Sequence, residues 1–300
     1  MKKKTYLFAL MAMVLTLGSC SDNENGIGGE TSKYITVSTS IGNMTRVATD
    51  AKGGQTFEEG DEISVYAWTG APTVAPETSE RVVNNAINKL TNGSWISTPQ
   101  MLWKNNLEKH YFIGVYPTAA ISDLSAGEYT FDANKQTESD LLVAVNPDGL
   151  SYSADAQQTV PLTFTHVMAK LAVNLTYKNQ WGGIPTVEKV VVGNAAKEAT
   201  INYLTKVVTP STTAKEDFSL PEITENTKYV SVIIPQEDVK QLTIVIGGKN
   251  FVYDNGTPFK LESGKITTVN LEVGRDEIKL GDVKITNWED GSTFSGEALN

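Results

Sequence analysis

Apolar side chains recur at every second position through most of this chain, and that period confines the fold to sheets. Ile35, Val37, Thr39 and Ile41 alternate with Thr36, Ser38 and Ser40, as a strand buried on one face requires. Residues 63–68 (ISVYAW) form a dense β-branched and aromatic run after the turn signal Glu59-Gly60-Asp61. Residues 111–116 stop at Pro117, and 141–145 stop at Asn146-Pro147. Leu171, Val173 and Leu175 alternate with Ala172, Asn174 and Thr176, and further strand-like runs cover 187–192, 200–203, 229–234, 242–246, 249–253 and 266–273. Between two of these, Gly247-Gly248 predicts a tight hairpin, because both residues tolerate positive φ. Helical readings are confined to a turn within 166–175 and a short helix over 79–90.

Short strands separated by Gly, Pro, Asn and Asp predict an all-β protein of antiparallel sandwiches. The division read from the chain is a signal segment at 1–19, a tether at 20–33, an N-terminal sandwich at 34–160 and a C-terminal sandwich at 161–300. The polar stretch 151–161 is preferred to 179–185 as the boundary, since seven strand-like runs from 170 to 273 then make one complete sandwich.

The N-terminal segment is read by its order. Lys2, Lys3 and Lys4 precede about a dozen apolar residues, and Leu17-Gly18-Ser19 leads to Cys20, the only cysteine. That run is short of the ~20 residues a membrane-spanning helix needs, so it reads as a signal peptide. The order basic, apolar, small, cysteine resembles a bacterial lipoprotein signal, in which Cys20 is acylated and becomes the first residue of the mature chain. Several acyl chains at about 0.8 kcal/mol per buried methylene hold a protein durably on a bilayer. Residues 21–31 (SDNENGIGGET) bury too little apolar surface to offset their ordering entropy, and predict a flexible tether. With no second cysteine, the exported part has to fold without internal disulfides. Removing three signal lysines from 25 basic residues set against 35 acidic ones leaves a balance of −13, which repels nucleic acid.

Catalytic and metal-binding patterns are scarce. His110 and His166 are the two histidines, and neither belongs to a ligand pair with metal spacing; His166 reads as a packed, hydrogen-bonded residue. There is no G-x-S-x-G elbow and no Walker lysine, and no cofactor is expected. Glu58, Glu59, Asp61 and Glu62 cluster at a turn and read as a solvated acidic turn rather than a calcium loop. Trp95 and Trp103 are the residues on which a second function, surface glycan binding, would rest. A glycoside hydrolase would need two carboxylates facing one cleft, and the chain is not expected to be an enzyme.

The residues then match a family. After the signal and the 35–41 strand come Thr45-Arg46-Val47, Phe57-x-x-Gly60-Asp61-x-Ile63, Trp103, the aromatic strand before Pro117 and Asp140-Leu141-Leu142. Phe164-x-His166-x-x-Ala169-Lys170-Leu171, Leu261-x-x-Gly264-Lys265-Ile266 and Ile285-x-x-Trp288 complete the series. In that order they resemble fimbrillins, lipoprotein precursors of type V pilus subunits. The resemblance implies two transthyretin-like sandwiches in series, outer-membrane export through Cys20, and polymerisation with other fimbrial subunits in the service of adhesion. It also implies that an arginine-specific protease cuts after Arg46, making Val47 the new first residue and removing the Ile35, Val37, Thr39, Ile41 strand. The groove so opened would take a terminal strand of another subunit. Arg46 as an ordinary exposed arginine, or as the uncut residue of a fimbrial anchor that keeps its lipid, is the alternative.

For the donor, Ile278 and Leu280 alternate, as do Val283 and Ile285, with Gly281-Asp282 between the pairs. That break shifts the alternation by one residue, so an unbulged strand would send the pairs to opposite faces. A bulge or turn at Gly281, or two short strands in place of one, is therefore expected. The segment 278–288 either serves as donor or completes its own C-terminal sandwich.

Overall fold

Strands form where the alternation predicts them, and their partners come from far along the chain. The computed structural model describes residues 33–42, 56–136, 138–153, 158–254 and 256–288. The first eight strands are β1 (Thr36–Ile41), β2 (Glu62–Thr69), β3 (Val83–Thr91), β4 (Ser94–Thr98), β5 (His110–Tyr116), β6 (Gly127–Thr130), β7 (Leu142–Leu150) and β8 (Thr159–His166). There follow β9 (Ala169–Tyr177), β10 (Val187–Ala196), β11 (Glu198–Asn202), β12 (Val207–Pro210), β13 (Lys215–Ser219) and β14 (Glu222–Thr224). The last are β15 (Lys228–Ile233), β16 (Gln241–Ile246), β17 (Lys249–Asp254), β18 (Lys265–Val273) and β19 (Ile278–Asn287).

These strands make a seven-stranded sheet in the order β1-β8-β7-β5-β2-β3-β4 and a five-stranded sheet β14-β15-β9-β18-β19. A four-stranded sheet β13-β10-β16-β17 and a three-stranded sheet β12-β11-β6 complete the fold. Most neighbours are antiparallel, as expected, but β1 runs parallel to β8 and β9 parallel to β18. The chain leaves the seven-stranded sheet at the end of β8 and enters the five-stranded sheet at β9, across Val167 and Met168, both buried.

The seven-stranded sheet is covered on both faces, which explains why β2 reads as an unbroken apolar run. Tyr66 and Trp68 turn to a large hydrophobic cluster shared with the four- and five-stranded sheets, where Val192, Leu242 and Ile244 meet Leu171, Val269 and Leu271. Val65 and Ala67 turn the other way, to a smaller cluster with Ile35, Val37, Phe112, Val160, Leu162 and Phe164. The layers are therefore sandwich-like, as expected of the all-β reading.

Three local readings are corrected. Residues 79–90 are not a helix: a 3-10 turn at Thr78–Glu80 leads into β3. Its pairing with β2 shifts between Val83 and Ala86, where Asn85 sits at φ 54°, and this bulge sets buried residues three apart, a spacing that imitates a helical face. The strand from 142 also continues through Pro147 to Leu150. Proline is tolerated there because only 142–144 of this strand pair with β8 and the ladder to β5 is irregular beyond Asn146. A bend, with no helical turn, occupies Val167–Met168. The predicted hairpin does form, with Gly247 at φ 57° and Gly248 at φ 73° between β16 and β17.

Candidate functional site

The sequence directs attention to two strands, β1 and β19, and both lie at sheet edges. In β1 the two polar serines face out while Ile35 and Val37 are buried, at 1% and 6% exposure. Thr39 and Ile41 are half-buried on the same side. On one flank β1 forms a six-residue parallel ladder with β8, from Thr36 opposite Thr159 to Ile41 opposite Phe164. On the other flank the sheet curls back towards it. Ile35 donates its N–H to the Met101 carbonyl at 3.0 Å, Trp103 donates to the Lys33 carbonyl at 3.2 Å, and Trp95 Nε1 of β4 donates to Thr39 Oγ1 at 3.0 Å. β1 is thus a strip closing the gap between the two borders of one curled sheet.

The far end of that strip is roofed by an aromatic group which sequence reasoning did not assemble. Phe57 stands edge-on to Phe164, Trp95 and Tyr116, with ring centres 5.1, 5.3 and 5.3 Å away. Its place is set by the turn that follows. There Gly60 adopts φ 98°, and the Asp61 carboxylate accepts the Glu58 N–H at 2.7 Å. The signal for this cluster was present as aromatic residues in separate motifs, but nothing in one sequence says that they meet.

Among the described strands, β19 pairs with β18 alone. Val283 lies opposite Val269 and Leu280 opposite Leu271, so Gly281 and Asp282 together face Asn270. This is the expected bulge, and it returns Ile278, Leu280, Val283 and Ile285 to one face. They are not equally covered. Ile278 and Leu280 pack on the main cluster, whereas Val283 and Ile285 are 40% and 39% exposed.

The remaining chemistry is structural. His166 is buried, with Nδ1 2.8 Å from Asp140 Oδ1, as its packed reading predicts. Among the described residues, no three His, Cys, Asp or Glu side chains come together to hold a metal ion. In the acidic turn, Glu59 accepts the Asn92 N–H and Glu62 meets Lys89 at 3.0 Å. Trp103 is buried against Phe112 and His110, and Trp95 is half-buried against Phe57, so neither is a flat exposed platform for a sugar. Cys20, Arg46 and Val47 lie outside the described residues.

His110 carries a testable electrostatic consequence. It is fully buried, with Nε2 accepting the Lys104 N–H at 3.0 Å. Burial pushes its pKa below the ordinary value; Glu108 opposes that fall and the Lys104 charge adds to it. The unfolded chain therefore binds this proton first. The stabilisation from neutral His110 is complete above the ordinary histidine value of about 6.5 and is lost as pH falls from there through the folded-state value. Urea midpoints measured from pH 7.5 downward should fall more steeply for the wild type than for His110→Gln. Parallel slopes would show that His110 does not contribute.

Comparison with known proteins agrees with this architecture. Residues 45–288 match the model of a family described as fimbrillin-like. Among solved structures, the chain resembles a candidate cell adhesion protein from Bacteroides ovatus, with TM-score 0.62 and 18% identity over 85% of this chain and 98% of that one. A second, from Bacteroides uniformis, gives TM-score 0.60 and 17% identity over 86% and 100%. A fimbrial protein from Bacteroides vulgatus gives TM-score 0.52 and 13% identity over 84% and 99%. At these identities the likeness speaks for the fold. No curated protein sequence matches the chain.

Proposed function

Because this chain belongs to the fimbrillin-like family, we propose that it is a structural subunit of a cell-surface fimbria, assembled by strand exchange and serving adhesion. It is a structural protein and not an enzyme. In the proposed sequence of events, the precursor is exported to the outer membrane and anchored by lipid on Cys20. An arginine-specific protease then cuts between Arg46 and Val47, and β1 leaves with the anchor. Two sandwich domains in series, with the first displaced strand at the front, would form the body of the subunit.

The observation that carries this reading is the seat of β1. A strand that fills a gap between two sheet borders, with one face buried and a single continuous ladder, leaves a groove when it departs. Unpaired N–H and C=O groups then line β8 beside the apolar pockets of Ile35 and Val37. A strand from a second copy restores the ladder through main-chain bonds and fills the pockets with alternate side chains. Ile278, Leu280, Val283 and Ile285 offer four apolar groups on one face, to take the places of Ile35, Val37, Thr39 and Ile41. Before cleavage, β1 blocks premature assembly.

In the native host, the Arg46→Ala precursor should remain a lipidated monomer with Cys20 as its first residue, and its fimbrial polymers should fall at least about tenfold. Normal polymers with an N-terminus unchanged from wild type would overturn arginine-triggered assembly.

A further inference from the structure

Four segments far apart in the chain converge at the end of β19. Trp288 is 7% exposed, and its ring lies nearly parallel to that of His166, 8° apart with centres at 4.0 Å. Lys170 brings Nζ to 4.2 Å from the Trp288 ring centre. Asp140 holds His166 from behind at 2.8 Å. The Trp288 backbone is bound as well, its N–H donating to the Gly264 carbonyl at 3.0 Å, while Gly264, at φ 66°, donates to Met168.

The rest of β19 is held unevenly. It begins with Ile278 and Leu280 on the core, is interrupted by the bulge at Gly281-Asp282, and continues through half-uncovered Val283 and Ile285. Asp282 accepts from Asn270 Nδ2 at 2.7 Å, an exposed bond. The strand is pinned at both ends and weakly packed between them. At its C-terminal end the pin is Trp288.

We infer that Trp288 is a latch: its stacking on His166 and Lys170 sets how readily β19 opens from its own sheet. Ring contacts hold it. Among the described residues the buried indole Nε1 has no hydrogen-bond partner. A stacked ring also has a substitute in phenylalanine. The role of the latch in assembly rests on the strand-exchange reading; its control of β19 does not.

Hydrogen exchange of the full chain, followed by mass spectrometry, tests it. Trp288→Ala should speed exchange in 278–287 by roughly tenfold or more while β10 and β16 keep their wild-type rates. Trp288→Phe should stay within about threefold of wild type, and so should Ile285→Ala on the uncovered stretch. Unchanged exchange in Trp288→Ala, or an equal rise across every strand, would overturn the latch. Assembly is then read separately, as uptake of Trp288→Ala chains by subunits beginning at Val47. Faster exchange in β19 without faster uptake would leave the latch standing and remove the strand-exchange reading.

Discussion

A chain beginning at Val47 should be less stable than the full chain by about 3–6 kcal/mol, since Ile35 and Val37 are nearly fully buried and each such side chain contributes roughly 1.5–3 kcal/mol. The lost ladder to β8 adds to this, because groups that were paired along six residues are left at an open edge. Urea unfolding followed by tryptophan fluorescence measures it directly, with Trp95 reporting on the seat through its bond to Thr39. A synthetic peptide of residues 33–42 should then raise the midpoint. At a hundred times its dissociation constant a ligand specific for the folded state restores about 2.7 kcal/mol. A peptide of 277–288 should compete with it. If the shortened chain unfolds at the same urea concentration as the full one, β1 is not filling a structural gap and the assembly scheme loses its basis.

Phe164→Ala should cost about 3–5 kcal/mol, the usual range for removing a buried ring. Phe164 has no exposed surface, lies in the ladder beside Ile41, and supports Phe57 at 5.1 Å. It also fills the space left open by Gly114 on β5. A methyl group there would lie 2.6 Å from Phe164 Cζ and 3.1 Å from Leu162 Cδ1, too close for either to remain in place. Gly114→Ala alone should therefore cost roughly 1–3 kcal/mol by overpacking. In the Phe164→Ala background the same methyl enters a cavity, and the double variant should be more stable than the two separate losses predict. Strict additivity in chemical denaturation would show that Gly114 and Phe164 do not share this space.

The second prediction concerns residues that the sequence shows without saying why their positions matter. Glycine at 114 interrupts a dense strand, and the reason appears only when a ring from β8 is found above it. The same holds for Trp288. Its place after Ile285 is plain in the sequence, but its contact with His166 joins residues more than a hundred positions apart. Trp95 and Trp103 show the complementary limit: composition cannot distinguish a packed indole from an exposed one, and the structure sets both against other rings.

What the sequence alone determined was the local part. Period-two alternation specifies strands because successive side chains point to opposite faces, and a Gly-Gly pair specifies a tight hairpin because both residues accept positive φ. Even the bulge in β19 was readable, since a one-residue shift in alternation has to be absorbed somewhere if one face is to stay apolar. Tertiary structure alone decided which strands became neighbours, including the parallel placement of β1 on β8, and which aromatic groups closed over it. Alternation states which face of a strand is apolar. The partner is chosen by burial summed over the whole chain, and that sum exists only when distant segments have been brought together.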